Sequence, residues 1–173
     1  MNPLTIHSWA VIPDRGDRRL KSFTVPGTGR KMVLRKDVGP YLVAFVAEYH
    51  KRIAPIDVGT FDDWAWCPPR AGRASSHISD HCAGVAIDLN ATAEGSQGSG
   101  SLKFWRNPVK AARLKALRKE FSLLEWGGDY KSHRDPMHWT FRYGVKETAV
   151  IAEIKRLGID SNGERQPNGV LAG

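Results

Sequence analysis

A short run of alternating residues near the middle of the chain constrains the fold more than any other feature. From Gly84 to Asn90, apolar side chains alternate with small or polar ones, which places the two sets on opposite faces of an extended strand. The pattern predicts a half-buried strand whose second face carries Asp88. Because glycine tolerates backbone conformations that other residues avoid, Gly84 permits a tight turn just before this strand.

Two histidines and two acids surround this strand in the sequence. His81 and Asp88 are seven positions apart, so a turn at Gly84 is needed to bring their side chains to one point. About fifty residues further on, Asp135 precedes His138, which begins another short alternating strand. Two histidines and one carboxylate form a ligand set typical of catalytic zinc, which keeps its fourth position for water.

Asp135 is the candidate general base of such a site. Zinc lowers the pKa of a bound water to about 7, and hydrolysis then needs a carboxylate that is not a ligand to move the proton. Pro136 restrains the short path between Asp135 and His138, while Glu125 and Asp129 are alternative bases. Spacing alone also allows histidines that are simply hydrogen-bonded, since the chain contains neither HExxH nor a CxxC pair.

Three helices are predicted around these strands. Asp37 is the expected N-cap of the first, and Asn107 with Pro108 opens a second, basic helix that runs to about Glu120. A third helix is expected over about 146–157. Its predicted buried residues are Val150, Ile151, Ile154 and Leu157.

The predicted fold class is α+β, with a small antiparallel sheet packed against about three helices. Residues 1–35 are rich in Pro, Gly and Arg, with two short β-like runs, and are expected to form an irregular lead-in packed on the domain. Residues 36–160 are the expected functional domain, which contains the strand that begins at His138. Residues 161–173 are expected to form a flexible tail.

Composition restricts the class of protein further. The 173 residues contain 26 Lys and Arg against 18 Asp and Glu, a net charge of +8 that indicates an anionic partner such as nucleic acid, a membrane surface or a charged polymer. The length fits one domain of about 100–200 residues. Cys67 and Cys82 are too few for a disulfide framework, and no run of about 18 apolar residues predicts a membrane span. Charged residues near the start of the chain argue against a signal peptide.

Two motifs together resemble the zinc D-alanyl-D-alanine carboxypeptidase family, and more closely its phage L-alanyl-D-glutamate endopeptidases, the peptidase domains of endolysins. The motifs are Ser79-x-His81-x-x-Gly84-x-Ala86-x-Asp88 and Trp126-Gly127-Gly128-Asp129 with Asp135-x-x-His138. The resemblance implies that His81, Asp88 and His138 bind Zn²⁺ and that Asp135 is the general base. It also implies that the zinc site lies on the small sheet, as in hedgehog-like and DD-peptidase-like folds.

The resemblance extends to an arginine upstream of the first histidine, which in the family holds substrate and stabilises the oxyanion. Arg70 is the better match and Arg73 the second. One departure follows His138, where Trp139-Thr140 stands in place of the usual Phe-Glu and raises the question of what supports the ligands. Cys82, beside the first ligand, is interpreted as a small buried side chain.

The resemblance implies a zinc metallopeptidase that cuts an amide bond in peptidoglycan stem peptides, either as a carboxypeptidase or as an endopeptidase. We expect a phage endolysin, made in the host cytoplasm without a signal peptide and later released to the bacterial cell wall. The basic surface is expected to hold a monomer on the anionic wall, without nucleic-acid binding or membrane insertion. A basic metal-dependent nuclease and a catalytically inactive, zinc-stabilised wall-binding module are the alternatives.

Overall fold

A computed structural model of the chain describes residues 3–58, 61–69, 78–92, 106–132 and 134–166. It confirms the α+β class. The strands are β1 (Leu20–Thr24), β2 (Lys31–Arg35), β3 (Ala86–Asp88), β4 (Leu124–Trp126) and β5 (His138–Phe141). The helices are α1 (Gly39–Arg52), α2 (Pro108–Glu120) and α3 (Glu147–Arg156), with 3₁₀ turns at Asp80–Ala83 and Gly127–Asp129.

The described strands form two small antiparallel sheets. β1 and β2 make a hairpin in which Leu20 lies opposite Arg35, and the two β-like runs of the N-terminal region lie in it. The second sheet has the order β3-β5-β4. Its register places Asp88 directly opposite His138, so that the sheet itself brings these two residues together.

Helix α1 packs against the three-stranded sheet. Its apolar face is fully buried, and the Phe45 ring lies 4.6 Å from the Trp139 ring of β5, measured between centroids. The helix begins later than predicted, since Val38 is the N-cap and no side chain caps it, so the predicted Asp37 cap is wrong. Val38 is completely buried and Pro40 has a preset helical φ, so core packing determines the entry of this helix.

The other two helices are closer to the surface. Asn107 caps α2 as predicted, because its side chain accepts hydrogen bonds from the N–H groups of Val109 and Lys110. In α3, Val150 is buried as predicted, whereas Ile151 is 47 % exposed. The prediction for Ile151 is wrong because only a narrow face of α3, which contains Val150, packs on the core. None of the helices in the described ranges is long and apolar enough to cross a membrane.

Strand β3 is more buried than its alternating pattern predicts. The expected half-buried strand is covered on both faces, since Ala86 and Ile87 have no exposed surface and Asp88 is 9 % exposed. The outer edge of β3 is also paired, because the backbone N–H and C=O of Trp64 in the segment 61–69 bond to those of Asp88 at 2.9 and 2.8 Å. A segment distant in sequence therefore closes the edge of the sheet beside the predicted site.

The division of the chain into a lead-in, a domain and a tail stays a prediction. Of the expected tail, 161–173, the structure describes residues as far as 166. Within this part, Arg165 forms an antiparallel bridge with Ile159, and Gly163 lies against the side chain of Val43.

Candidate metal centre

Three predicted ligands converge in the structure. The side chains of His81, Asp88 and His138 each offer one donor atom, and these atoms all lie within 4.8 Å of one another. Nε2 of His81 is 3.2 Å from Nδ1 of His138 and 3.2 Å from Oδ1 of Asp88. Nδ1 of His138 is 2.9 Å from the same Asp88 oxygen. The three residues therefore form a compact group that can hold a metal ion.

The size of this triangle suits zinc. Tetrahedral zinc bound to nitrogen and oxygen at about 2.0–2.1 Å places neighbouring donor atoms about 3.3–3.4 Å apart. The distances of 2.9–3.2 Å between the donors are slightly shorter, so an ion needs only a small outward shift of the side chains. Two imidazoles and one carboxylate are also a donor set that zinc accepts.

His81 is oriented by the turn that carries it. Its backbone N–H donates to Oγ of Ser79, and the turn ends at Gly84 with φ of 68°. A Cβ at Gly84 would lie 2.7 Å from the backbone nitrogen of Arg35, so both conformation and space require glycine here. The Nδ1 atom of His81 is 2.5 Å from the carbonyl oxygen of Ala65. Donation by Nδ1 to this carbonyl leaves Nε2 as the atom that can bind a metal.

Asp88 is held in its charged form. Burial opposes its ionisation, but hydrogen bonds from His138 and His81 outweigh that effect and hold the pKa of the Asp88 carboxyl below its ordinary value. Burial likewise opposes charge on His81, while the hydrogen bond and charge of Asp88 raise the pKa of that imidazole. A bound cation takes the place of these protons, because metal ligands must be deprotonated.

Asp135 lies beside the cluster in a different environment. Its Oδ1 is buried and has no hydrogen-bond partner among the described residues. Burial raises the pKa of the Asp135 carboxyl, His138 and His81 partly oppose this, and Asp88 adds to it. An unpartnered carboxylate oxygen with a raised pKa is suited to accept a proton.

The Gly127-Gly128 turn determines where Asp135 lies. The Asp135 N–H donates to the carbonyl oxygen of Gly127 at 2.9 Å. A Cβ at Gly127 would collide with the Asp135 carbonyl oxygen, and one at Gly128 would collide with the Trp126 indole. The Trp126 Nε1–H donates to the carbonyl oxygen of Pro136 at 2.7 Å. The two glycines and the tryptophan therefore hold the 135–136 segment against the sheet.

The cluster opens into a cleft of about 400 Å³. Its described lining is Ile6, His7, Ser79, His81, Asp88, Glu125, Tyr130, Asp135 and His138. Sequence reasoning missed His7 and gave Ile6 no role. No local pattern points to them, since His7 contacts Asp80, 73 positions away in the chain.

The two alternative bases have other partners. Glu125 accepts a hydrogen bond from the Tyr130 hydroxyl at 3.0 Å and faces His7, while Asp129 forms an ion pair with Arg118. Asp135 also lines the cleft, and the charges of all three cluster residues affect its pKa.

Two sequence candidates lie outside the described residues, Arg70 and Arg73. Thr140, which stands where relatives carry Glu, is fully buried, and its hydroxyl donates to the carbonyl oxygen of Val85 at 3.3 Å. It therefore braces the sheet rather than a ligand. Cys82 is buried as interpreted, and its thiol interacts with Cys67; this hydrogen bond and burial raise the pKa of the Cys82 thiol.

Comparison with known proteins finds one family. Residues 72–141 match the model of a family described as D-alanyl-D-alanine carboxypeptidase. The match covers less than half of the chain, but it includes the three clustered residues and Asp135. No curated protein and no solved structure matches the chain. The matched segment supports a metallopeptidase that acts on peptidoglycan.

Proposed function

We propose that the chain is a zinc-dependent peptidase that hydrolyses an amide bond in peptidoglycan stem peptides and serves as a phage endolysin. One observation supports this most directly. The donor atoms of His81, Asp88 and His138 meet in a cleft that also holds the unpartnered carboxylate oxygen of Asp135. A structural metal site has no need of this additional acid, whereas hydrolysis requires it.

His81, Asp88 and His138 are proposed to hold the zinc ion. When bound, zinc supplies a Lewis acid that activates water and polarises the amide carbonyl. The Ala65 carbonyl keeps His81 in the tautomer that offers Nε2, and the β3-β5 register keeps Asp88 and His138 side by side. The chain therefore presents three donors from one side and leaves the cleft side open for substrate.

Asp135 is proposed as the general base and then the general acid. Its buried, unpartnered Oδ1 takes a proton from the attacking water, and the same oxygen returns that proton to the departing amine. The raised pKa of Asp135 favours the first step, because burial increases the affinity of its carboxylate for the proton of the attacking water.

Arg70 is proposed to bind substrate and to stabilise the developing oxyanion, with Arg73 as the second candidate. A comparison of Arg70→Ala with Arg73→Ala assigns the role. Replacement of the arginine that stabilises the oxyanion should lower kcat by about 100-fold or more, while the other variant should leave kcat within a few-fold of the parent value.

The test of the function uses zinc analysis and product analysis on the same protein. Native mass spectrometry should find one zinc ion per chain, and digestion of purified cell walls should release peptides whose new termini identify the bond. Release of free D-alanine indicates a carboxypeptidase, and a new C-terminal L-alanine with a new N-terminal D-glutamate indicates an endopeptidase. Plasmid nicking without release of wall peptides would replace this proposal with a nuclease.

The anionic cell wall is the proposed partner of the basic surface. A groove of about 820 Å³ beside α2 is lined by Arg106, Lys115, Arg118 and Arg134 together with Trp126. Arg118 is offset by Asp129, and the other three form no ion pair within the described ranges. Because exposed charges are screened by salt, wall binding should weaken as ionic strength rises. Sedimentation with purified walls measures this, and salt-independent binding would exclude an electrostatic contribution.

A further inference from the structure

The N-terminal segment is attached directly to the turn that carries His81. The N–H of Ile6 donates to the carbonyl oxygen of Ile78 at 3.0 Å. The N–H of Ile12 donates to the carbonyl oxygen of Cys82 at 2.7 Å. These bonds attach residues 6–12 to the turn and place Ile6 and His7 in the cleft lining, although the segment lies outside the 72–141 match.

His7 lines the cleft and lies between the carboxylates of Asp80 and Glu125. Its Nδ1 contacts the carboxylate of Asp80, and its Nε2 is 3.3 Å from Oε1 of Glu125. The His7 side chain is only 11 % exposed. The imidazole therefore links the 3₁₀ turn of the candidate metal site to strand β4.

Glu125 is held from two sides and still faces the cleft. Its Oε1 accepts the Tyr130 hydroxyl at 3.0 Å, in addition to its contact with His7. The neighbours of Glu125 on β4 are buried, whereas the Glu125 side chain is 28 % exposed and lines the cleft. A carboxylate fixed in this way is prepared to bind a ligand without losing much conformational freedom.

The charged residues of the described cleft lining differ from those of the chain as a whole. The chain carries a net charge of +8, yet no Lys or Arg lines the described part of the cleft, which contains three carboxylates. Asp88 belongs to the metal cluster, and Asp135 is the proposed general base. Glu125 is the remaining carboxylate, and a positively charged group of the substrate is its complement.

We propose that Glu125 binds a primary ammonium group of the substrate beside the metal site, with His7 and Tyr130 as positioning residues. This inference rests on the proposed peptidase function and adds a substrate class to it: a peptide that carries a free amine near the scissile amide. Acetylation of that amine removes both its charge and two of its hydrogen-bond donors, so it should weaken binding.

The test measures binding without turnover. Zinc-loaded Asp135→Asn protein is titrated, by isothermal titration calorimetry, with a stem peptide that has a free side-chain amine and with its N-acetyl derivative. Acetylation should raise Kd by about tenfold or more. Adding Glu125→Gln should bring the two Kd values to within about twofold of each other. Glu153→Gln removes the same charge from α3, outside the cleft, and should leave the tenfold difference intact. An undiminished difference with Glu125→Gln overturns the proposal.

Variants of His7 test its positioning role. His7→Phe should reduce the effect of acetylation, and His7→Gln, which keeps a donor, should restore part of it, with zinc content unchanged in both. A purely structural role would lower the melting temperature and leave the acetylation effect as it was. If Glu125→Gln does not fold, equal acetylation effects in the parent, His7→Phe and His7→Gln overturn the proposal.

The outcome for the proposed function is separate. If the wild-type protein hydrolyses both peptides with the same kcat/KM, this contradicts the ammonium site and leaves the peptidase function supported. Selective binding of the free amine without any hydrolysis of wall peptides contradicts the peptidase function and supports the binding site.

Discussion

Asp88 on strand β3 and Asp135 in the segment before β5 lie on the same cleft, but the pKa values of their carboxyl groups are shifted in opposite directions. Two imidazoles hydrogen-bond Asp88 and lower its pKa, so it is held as an anion. Asp135 has a buried oxygen without a partner among the described residues, and burial raises its pKa. One acid is thereby suited to hold a cation and the other to carry a proton, although the residue type is the same.

The backbone explains this difference. Asp88 is opposite His138 in a paired strand, where its position is determined by the sheet register. Asp135 is positioned by backbone hydrogen bonds with Gly127 and His138 and by close packing on that glycine. The ligand side of the cleft is therefore built from the core, whereas the acid side depends on a few contacts in a turn.

Removal of Asp88 should have the largest effect. In Asp88→Ala, the two histidines are left as the only ligands of the cluster, so zinc affinity should fall by more than about 100-fold and activity with it. Competition with a chelator of known affinity measures this. Asp57→Ala, at an exposed acid paired with His50, is the control and should bind zinc normally. Unchanged zinc affinity in Asp88→Ala would show that Asp88 is not a ligand.

Asp135→Asn should separate catalysis from metal binding. The amide cannot accept the proton from water, so kcat should fall by about 10²–10⁴-fold. Zinc stoichiometry should remain that of the wild type, because Asp135 is not one of the three clustered donors. Kinetics on a soluble peptide and metal analysis of the same sample are compared. Full activity with zinc bound would transfer the role of base to another acid.

Gly127→Ala tests whether the turn positions Asp135. The added Cβ collides with the Asp135 carbonyl oxygen, so the segment must shift. A displacement of about 1 Å at a catalytic group lowers the rate by about 100-fold, while the zinc ligands stay in place. Gly29→Ala is the matched control, because a Cβ there meets no atom within 4 Å. Equal kcat values for the two variants would contradict this account.

Asn107→Ala should have the smallest effect of these substitutions and should not alter the roles of Asp88 and Asp135. It removes the cap of α2, so the free energy of unfolding should fall by about 1 kcal/mol. The zinc content and kcat of the folded protein should not change, because α2 contributes no residue to the described cleft lining. Urea denaturation and peptide kinetics measure the two quantities. A large loss of kcat would show that the cleft depends on distant helix stability.

Much of the fold was predictable from local patterns. Asn107 before Pro108 predicted the start of α2, and the alternation after Gly84 predicted β3. Errors arose where tertiary packing decides. Asp37 does not cap α1, since the buried Val38 occupies that position, and β3 is buried on both faces and paired at its outer edge by a distant segment.

The candidate site was predictable to a similar extent. The motif residues His81, Asp88, Asp135 and His138 meet in one cleft. The contacts that orient them were not predictable, such as the Ala65 carbonyl on His81 and the His7 side chain on Glu125. These contacts join segments far apart in the chain, and neither periodicity nor spacing within one segment contains information about them.

The sequence by itself determined the residue types and their local conformations. A turn that requires glycine at position 84 and a strand that alternates after it follow from local sterics, which act between neighbours in the chain. Only the tertiary structure decided that two aspartates on one cleft should have pKa values shifted in opposite directions and that an N-terminal histidine should line the same cleft. Burial and hydrogen bonding between distant segments set these properties, and both exist only once the chain has folded.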